Sequence, residues 1–464
     1  MGDLPERKGY SKVQKSTIFV AVLTSLLTTF IGSATNLSIP DMSEDFAVGA
    51  AAIGWVVTAY MLPVAAFSVP FGRIADMIGR KKILVAGIAV FIVGSFASAL
   101  SFSFGFLIMT RVVQAMGSAM IFATNHAVLI SEFPGKDRGR VLGYALAATY
   151  TGLSAGPVLG GIINHCLGWR YIFAVTGLVG IVVMIEAIRR LPERAVQNGE
   201  NRFDRWGNFL YVAMILSIIY GLNAFSEKPL ALVLVPLGIL FGVLFIRRER
   251  NAVSPLVDVR LFETNLSYSL SNLAALMNYA ATYAIGYLLS IYLQVVAGFS
   301  SQTAGLILIA QPVIMAVFSP YMGRLSDRIS PFKLASAGMA LCAVSLLLLA
   351  FIRITTPVWL IIVILCVAGC GFALFSSPNT NAVMSCVEQE SYGVASSVLA
   401  TMRNLGHVSS MVLVTIIVNL NLGDIALSQA EPEILVRTMR AAYLVFTLIC
   451  VAGVFISMKR KQKS

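Results

Sequence analysis

The chain is short of charge. Asp, Glu, Lys and Arg supply 12% of its 464 residues, where soluble globular domains carry about 25%. Apolar residues supply 58%, and the mean hydropathy is +0.83. A water-soluble fold of this composition would expose large apolar patches. An ordinary soluble domain is therefore excluded, and lipid is left as the solvent for most of the chain. In lipid every backbone N–H and C=O must be satisfied within its own segment, so apolar runs of about 20 residues are expected to be helices.

Other absences narrow the function. The six cysteines show no paired spacing; Cys342, Cys366, Cys370 and Cys450 fall in apolar runs and read as packing residues. No Gly-rich loop followed by Lys-Ser/Thr is present, which argues against ATP as the energy source. No Ser/His/Asp or His/Cys constellation points to catalysis. The expectation is a protein that is not an enzyme and uses no cofactor and no metal. The first apolar run is too long for a cleavable signal.

Fourteen apolar runs are present, at roughly 16–39, 50–71, 82–100, 104–131, 140–164, 170–188, 206–224, 229–246, 266–294, 302–325, 333–352, 357–385, 392–420 and 439–458. The net charge of +12 would suit nucleic acid if it gathered on one soluble surface, but its distribution says otherwise. Of the 34 Lys and Arg, 27 fall in the termini and the even-numbered links; five lie on the opposite face, and Arg111 and Arg403 lie inside helices. Such a bias places the basic face in the cytoplasm, with both termini there. The expected location is the cell membrane, and the expected state is a monomer.

The chain also repeats itself. Gly72-Arg73-Ile74-Ala75-Asp76 through Gly79-Arg80-Lys81-Lys82 follows the second run; Gly323-Arg324-Leu325-Ser326-Asp327 follows the tenth. Gly117, Asn125, Ser131 and Gly139 are echoed by Gly371, Asn379, Ser385 and Gly393. The expected organisation is an N-terminal six-helix bundle over 1–190, two inserted helices over 191–260, and a C-terminal six-helix bundle over 261–464. Related halves are the sequence sign of a secondary transporter with its site near the midplane.

Gly72–Lys82 resembles the cytoplasmic loop signature of the major facilitator superfamily. Arg111-Val112-Val113-Gln114-Ala115 is similar to that family's Arg-x-x-Gln-Gly motif, with Ala115 in place of Gly. Gly152-Leu153-Ser154-Ala155-Gly156-Pro157-Val158-Leu159-Gly160-Gly161 resembles the antiporter signature of drug exporters. Trp55–Leu62 and Arg403-Asn404-Leu405-Gly406 resemble the fourteen-helix drug:proton antiporter branch. The resemblance implies an all-α integral membrane protein with two six-helix bundles and two inserted helices. It also implies a latch between the halves at Gly72, Asp76, Gly79 and Arg80, copied at Gly323 and Asp327. One departure stands out: the branch usually carries an acid in mid-helix 1, nine residues before a Pro, where this chain has Ile31.

Candidate residues follow from where polarity interrupts lipid-soluble helices. Arg111 and Arg403 are costly charges at membrane depth and are expected at the cavity or beside a partner. With no mid-helix acid, proton coupling falls to His126, to His407 one turn from Arg403, or to Asp41 in the first outer link. Packing is the competing reading for both histidines. In the fifth helix Gly152, Gly156, Pro157, Gly160 and Gly161 strip one face of side chains and permit a tight, bendable seam. By the family's architecture helices 1, 4, 9 and 12 line the cavity. Tyr279, Tyr283 and Tyr287, at i, i+4 and i+8, form one aromatic face there, with Asn36, Gln114, Asn278, Gln311 and Asn379 as polar companions.

The expected function is proton-coupled export of amphipathic small molecules, neutral or anionic in preference to dicationic. Uptake or facilitated diffusion without proton antiport is the alternative, and a non-transporting membrane sensor a remoter one.

Overall fold

The structure is a computed structural model and describes residues 10–133, 135–193, 204–224, 229–252, 256, 259–326, 328–387, 392–423 and 425–460. All regular elements among them are helical. Fourteen long helices follow the fourteen apolar runs. They are α1 (Lys12–Asn36), α2 (Ala50–Ile78), α3 (Arg80–Ala99), α4 (Phe104–Ser131), α5 (Gly135–Leu167), α6 (Arg170–Arg190) and α7 (Arg205–Ala224). They continue as α8 (Leu230–Asn251), α9 (Leu266–Val296), α10 (Ser301–Ser326), α11 (Pro331–Ala350), α12 (Val358–Met384), α13 (Tyr392–Leu422) and α14 (Pro432–Met458). By length and composition 13 described spans are apolar enough to cross a membrane; the remaining helix is α5, with charges in its first turns and a glycine-rich middle.

Helix ends carry local signals. Ser11 and Gln14 form a capping box at the start of α1, and Asn265 and Ser300 accept backbone N–H bonds at the starts of α9 and α10. Pro331 and Pro432 occupy first-turn positions of α11 and α14, where a missing N–H costs nothing. Helix α2 runs to Ile78, so Asp76 stands in its last turn rather than beyond it. The chain then reverses at Gly79, whose φ of +117° suits only glycine.

The repeat is visible as packing. In the first half α1 lies along α4, α5 and α6, α3 along α4 and α6, and α2 along α4. In the second half α9 lies along α12, α13 and α14, α11 along α12 and α14, and α10 along α12. Adding eight to each helix number converts one set into the other. A side-chain bond is repeated as well. The Asn125 amide donates to the Ala21 carbonyl, 3.0 Å, and the Asn379 amide to the Ser271 carbonyl, 3.3 Å, each tying a fourth helix to a first.

The halves meet along two seams, α5 against α10 and α2 against α13; α7 packs on α8 and against both α2 and α13. Among the described residues, four polar bonds join the halves at the end away from the termini. Ser290 Oγ donates to the Asn36 carbonyl (2.9 Å) and Gln294 Nε2 to the Leu37 carbonyl (3.0 Å). The Ala50 N–H donates to the Ile425 carbonyl at 2.9 Å, and Ser301 Oγ to the Gly161 carbonyl at 3.3 Å.

Candidate functional site

The candidate site is a cluster of aromatic and cationic side chains on α2, α4, α9 and α13. Its best-defined part is aromatic. Helix α9 breaks at Tyr283–Ala284, where the Ala284 N–H leaves the helical ladder and donates to Ser410 Oγ of α13, 3.1 Å away. The break presents Tyr283 to His407 with stacked rings, centroids 4.3 Å apart; Tyr279, one turn earlier, meets the same imidazole edge-on at 5.3 Å. Phe372 and Phe375 of α12 back Tyr279, and Ser376 hydrogen-bonds its hydroxyl at 3.3 Å. The Arg403 guanidinium lies 6.0 Å from the Tyr279 ring and within electrostatic reach of His407 and, across the halves, of His126 on α4. Close approach of α13 to α9 is what permits this: a Cβ on Gly406 would stand 2.7 Å from the Leu276 carbonyl oxygen.

Arg111, on α4 of the first half, is 1% exposed. Its Nε donates to the Val56 carbonyl of α2 at 3.1 Å and its Nη1 to Gln114 Oε1 at 2.5 Å. Its guanidinium lies 4.4 Å from the Tyr60 ring centroid and 5.4 Å from that of Phe173. Tyr60 in turn bonds Ser118 at 2.7 Å and the Thr28 carbonyl at 3.1 Å. The charge is thus held by neutral oxygens and ring faces, with Tyr283 of the other half in electrostatic reach.

Several expected cavity residues stand elsewhere. Gln114 is fully buried and turned toward α3, donating to Ser95 Oγ at 2.7 Å; here it holds Arg111 rather than lining a cavity. Asn278 is fully buried toward α14, with Cys450 Sγ 4.0 Å from its oxygen. Asn379 accepts from Arg460 Nη1 at 2.7 Å, near the terminal end of the second half. Asn36 and Tyr287 lie in the closed end, Tyr287 hydroxyl facing Gly54 and Asn36 accepting from Ser290 through its backbone. Gln311 is half-buried just past the break at Ile309 in α10, its carbonyl against Gly369.

Helix α5 offers two bare faces. Gly152, Gly156 and Gly160 abut α1: a Cβ on Gly160 would stand 2.6 Å from Ala34 Cβ, and one on Gly156 would overlap Ser33. One residue round the helix, Pro157 and Gly161 face α10. A Cβ on Gly161 would lie 2.5 Å from the Ser301 carbonyl oxygen, and one on Gly305 would overlap the Pro157 carbonyl.

At the terminal end, Asp76 and Arg80 pair at 2.9 Å, both exposed, and no atom stands within 4 Å of a Cβ built on Gly72. Gly323 faces Ser377 of its own half, 2.9 Å from its would-be Cβ. Asp327 lies outside the described residues. At the far end Asp41 sits in a short helix, Ile39–Asp45, and takes a hydrogen bond from the Asn164 amide of α5. Desolvation of its carboxyl, against the lowering effect of that bond, holds its pKa above the usual carboxylate value; Glu44 and Asp45 add to the rise. Asp45 is shifted down by its bond from Arg170 at 2.6 Å, helped by the Trp169 indole at 3.0 Å.

Sequence reading missed Tyr60 and Arg460. Arg460 belongs to the basic C-terminal segment, yet it is 6% exposed and donates to Ser271, Asn379 and backbone carbonyls. No local signal marks it, since it follows an apolar helix like any stop-transfer cation.

The profile of the Major Facilitator Superfamily matches residues 21–408 and 271–463, and the chain belongs to that family. It is a multi-pass membrane transporter of the superfamily. It is 31% identical over 379 residues to the riboflavin transporter RibZ of Clostridioides difficile, covering 82% of each chain. It is 30% identical over 376 residues to the multidrug resistance protein Stp of Mycobacterium tuberculosis, covering 80% of this chain and 70% of that one. Its fold superposes with a TM-score of 0.70 on the crystal structure of a bacterial homologue of the human lysosomal transporter Spinster, inward-facing and unoccupied. That likeness covers 97% of each chain at 14% identity.

Proposed function

We propose that the protein exports neutral or anionic amphipathic small molecules across the cell membrane in exchange for protons, by alternating access. The observation that carries this reading is the stacked Tyr283–His407 pair beside Arg403, set between the halves. It offers a flat aromatic face, a cation and an imidazole, while every carboxylate among the described residues lies within about one turn of a helix end or beyond it. Such a cluster favours planar, uncharged or negatively charged ligands and gives a dication nothing to pair with. Relatives named for riboflavin transport and for multidrug resistance are in keeping with it.

Orientation follows from the basic links, which put both termini in the cytoplasm. The far end is then the outer one, and the bonds that join the halves there support a state closed to the outside. Asp76, paired only with Arg80 among the described residues, is the open latch; it would engage the second half when the cavity turns outward. A monomer contains all the parts.

A second reading is facilitated movement without proton antiport. It is favoured by Ile31, fully buried where the branch usually holds an acid. Reconstituted liposomes with an internal pH dye separate the two. Antiport predicts substrate-dependent proton flux that His407→Gln flattens with pH; substrate movement without proton flux would establish the facilitator.

A further inference from the structure

The perimeter of the first half carries a groove of about 540 Å³ between the start of α1 and the end of α6. Lys12, Lys15, Ser16 and Phe19 line one side, and Val182, Ile185, Glu186 and Arg190 the other. The groove is graded. Its lower wall is apolar and faces outward, with Phe19 42%, Val182 55% and Ile185 44% exposed; its upper rim is cationic. The one acid is already engaged, Glu186 accepting from Ser16 Oγ at 2.7 Å and from Arg190 at 3.1 Å.

Arg190 has a reason within its own helix, since a cation in the last turn opposes the negative end of the helix dipole. The lysines have none. Lys12 and Lys15 stand in the first two turns of α1, a first turn that holds no acid. There the dipole is positive and cations are disfavoured. Among the described residues neither lysine forms an ion pair. Two unpaired ammonium groups, a helix N-terminus and an apolar trough below them are complementary to a molecule with an anionic head and a hydrocarbon tail. The groove opens on the outer perimeter of the bundle, beside the basic residues Arg189 and Arg190 that end α6.

We infer that this groove is a binding site for an anionic phospholipid. Its phosphate sits between Lys12, Lys15 and the first turn of α1, and one acyl chain runs along Phe19, Val182 and Ile185. The inference is independent of the substrate and of proton coupling, because no residue of the central cluster contributes to it.

Native mass spectrometry of the full chain released from mild detergent tests it, with phosphatidylglycerol and phosphatidylcholine supplied in equal amounts. The wild type is expected to retain phosphatidylglycerol preferentially. Lys12→Gln/Lys15→Gln is expected to weaken that retention on the order of 20-fold, each lysine being worth several-fold near an anionic headgroup. Lys12→Arg/Lys15→Arg should retain it. Lys82→Gln/Arg247→Gln, which removes the same charge elsewhere on the basic face, should also retain it. Equal retention of the two lipids, equal loss in the Lys82→Gln/Arg247→Gln control, or displacement of the lipid by millimolar inorganic phosphate would each overturn the assignment.

Discussion

The two seams between the halves are related by the repeat but built from different material. Along α5 and α10 backbone meets backbone: Gly305 rests on the Pro157 carbonyl and Gly161 on Ser301. Along α2 and α13 side chains interlock. Leu62, Ala65 and Ala66 pack with Val408 and Val412, and α7 adds Tyr211, Ile215 and Ile219 to the same cluster. Tyr211 donates to the Ala65 carbonyl at 3.2 Å, and Arg111 holds the Val56 carbonyl of the same helix from the other side. A surface without side chains can shift with few rotamer changes, whereas an interdigitated one must unpack. On this contrast α5–α10 is the seam expected to slide and α2–α13, braced by α7, the one expected to be stiffer. The contrast also gives the inserted pair a structural role, since α7 covers one seam and leaves the other bare.

The largest effect is expected from filling the bare seam. Gly305→Leu or Gly161→Leu forces overlap with the Pro157 or Ser301 carbonyl across the seam, an overpacking penalty of about 3 kcal/mol, and transport in liposomes should fall on the order of 100-fold. Val412→Ala in the other seam opens a small gap and should leave transport within a few-fold of wild type. Equal effects at the two sites would erase the distinction between seams.

Next comes the brace on α2. Arg111→Lys replaces a fork that spans Val56 and Gln114 with a point charge, losing at least one charged hydrogen bond worth about 1.5–3 kcal/mol. Melting temperature and transport should drop nearly as far as in Arg111→Ala. A fully stable, active lysine variant would show that position, not geometry, is what matters.

Tyr211→Phe removes only the bond to Ala65 and is expected to cost about 1 kcal/mol of stability, with transport little changed. The smallest effect belongs to Asp204, just before α7, which binds Arg248 of α8 at 2.8 Å. That bond, aided by the Gly207 N–H and opposed by burial, holds the Asp204 pKa below its ordinary value. A depressed carboxylate stabilises the fold above its unfolded pKa and loses that contribution as pH falls through the folded one. Asp204→Asn should therefore lower the melting point slightly at neutral pH, by the 0.2–1 kcal/mol or so of an exposed pair. The difference from wild type should vanish in acid.

Much of this could be read from the sequence. The fourteen helices follow hydropathy, and the paired Asn125 and Asn379 announced a repeat that the packing reproduces. The sequence put Gly152, Gly156, Pro157, Gly160 and Gly161 on one bare face; the structure divides them, 152, 156 and 160 toward α1 and 157 and 161 toward α10. Side-chain direction was the main loss. A polar residue in an apolar helix can face a chamber or another helix's carbonyl, and periodicity does not distinguish them. Gln114, Asn278 and Asn379 point into helix contacts, while Tyr279, Tyr283 and His407 do meet. Their meeting depends on the break at Ala284, which requires Ser410, a residue on another helix.

Alternating access itself is tested most directly by distance measurements across the far end. Phe102 and Phe351 are exposed there, at 78% and 65%, one in each half. Spin labels at both positions, in a cysteine-free chain in lipid nanodiscs, would report their separation by pulsed electron resonance. The account predicts one population at the separation seen in this structure and a second, longer one that grows when pH is lowered and shrinks when a substrate is added. A single distance unchanged by pH and by every transported compound would contradict it.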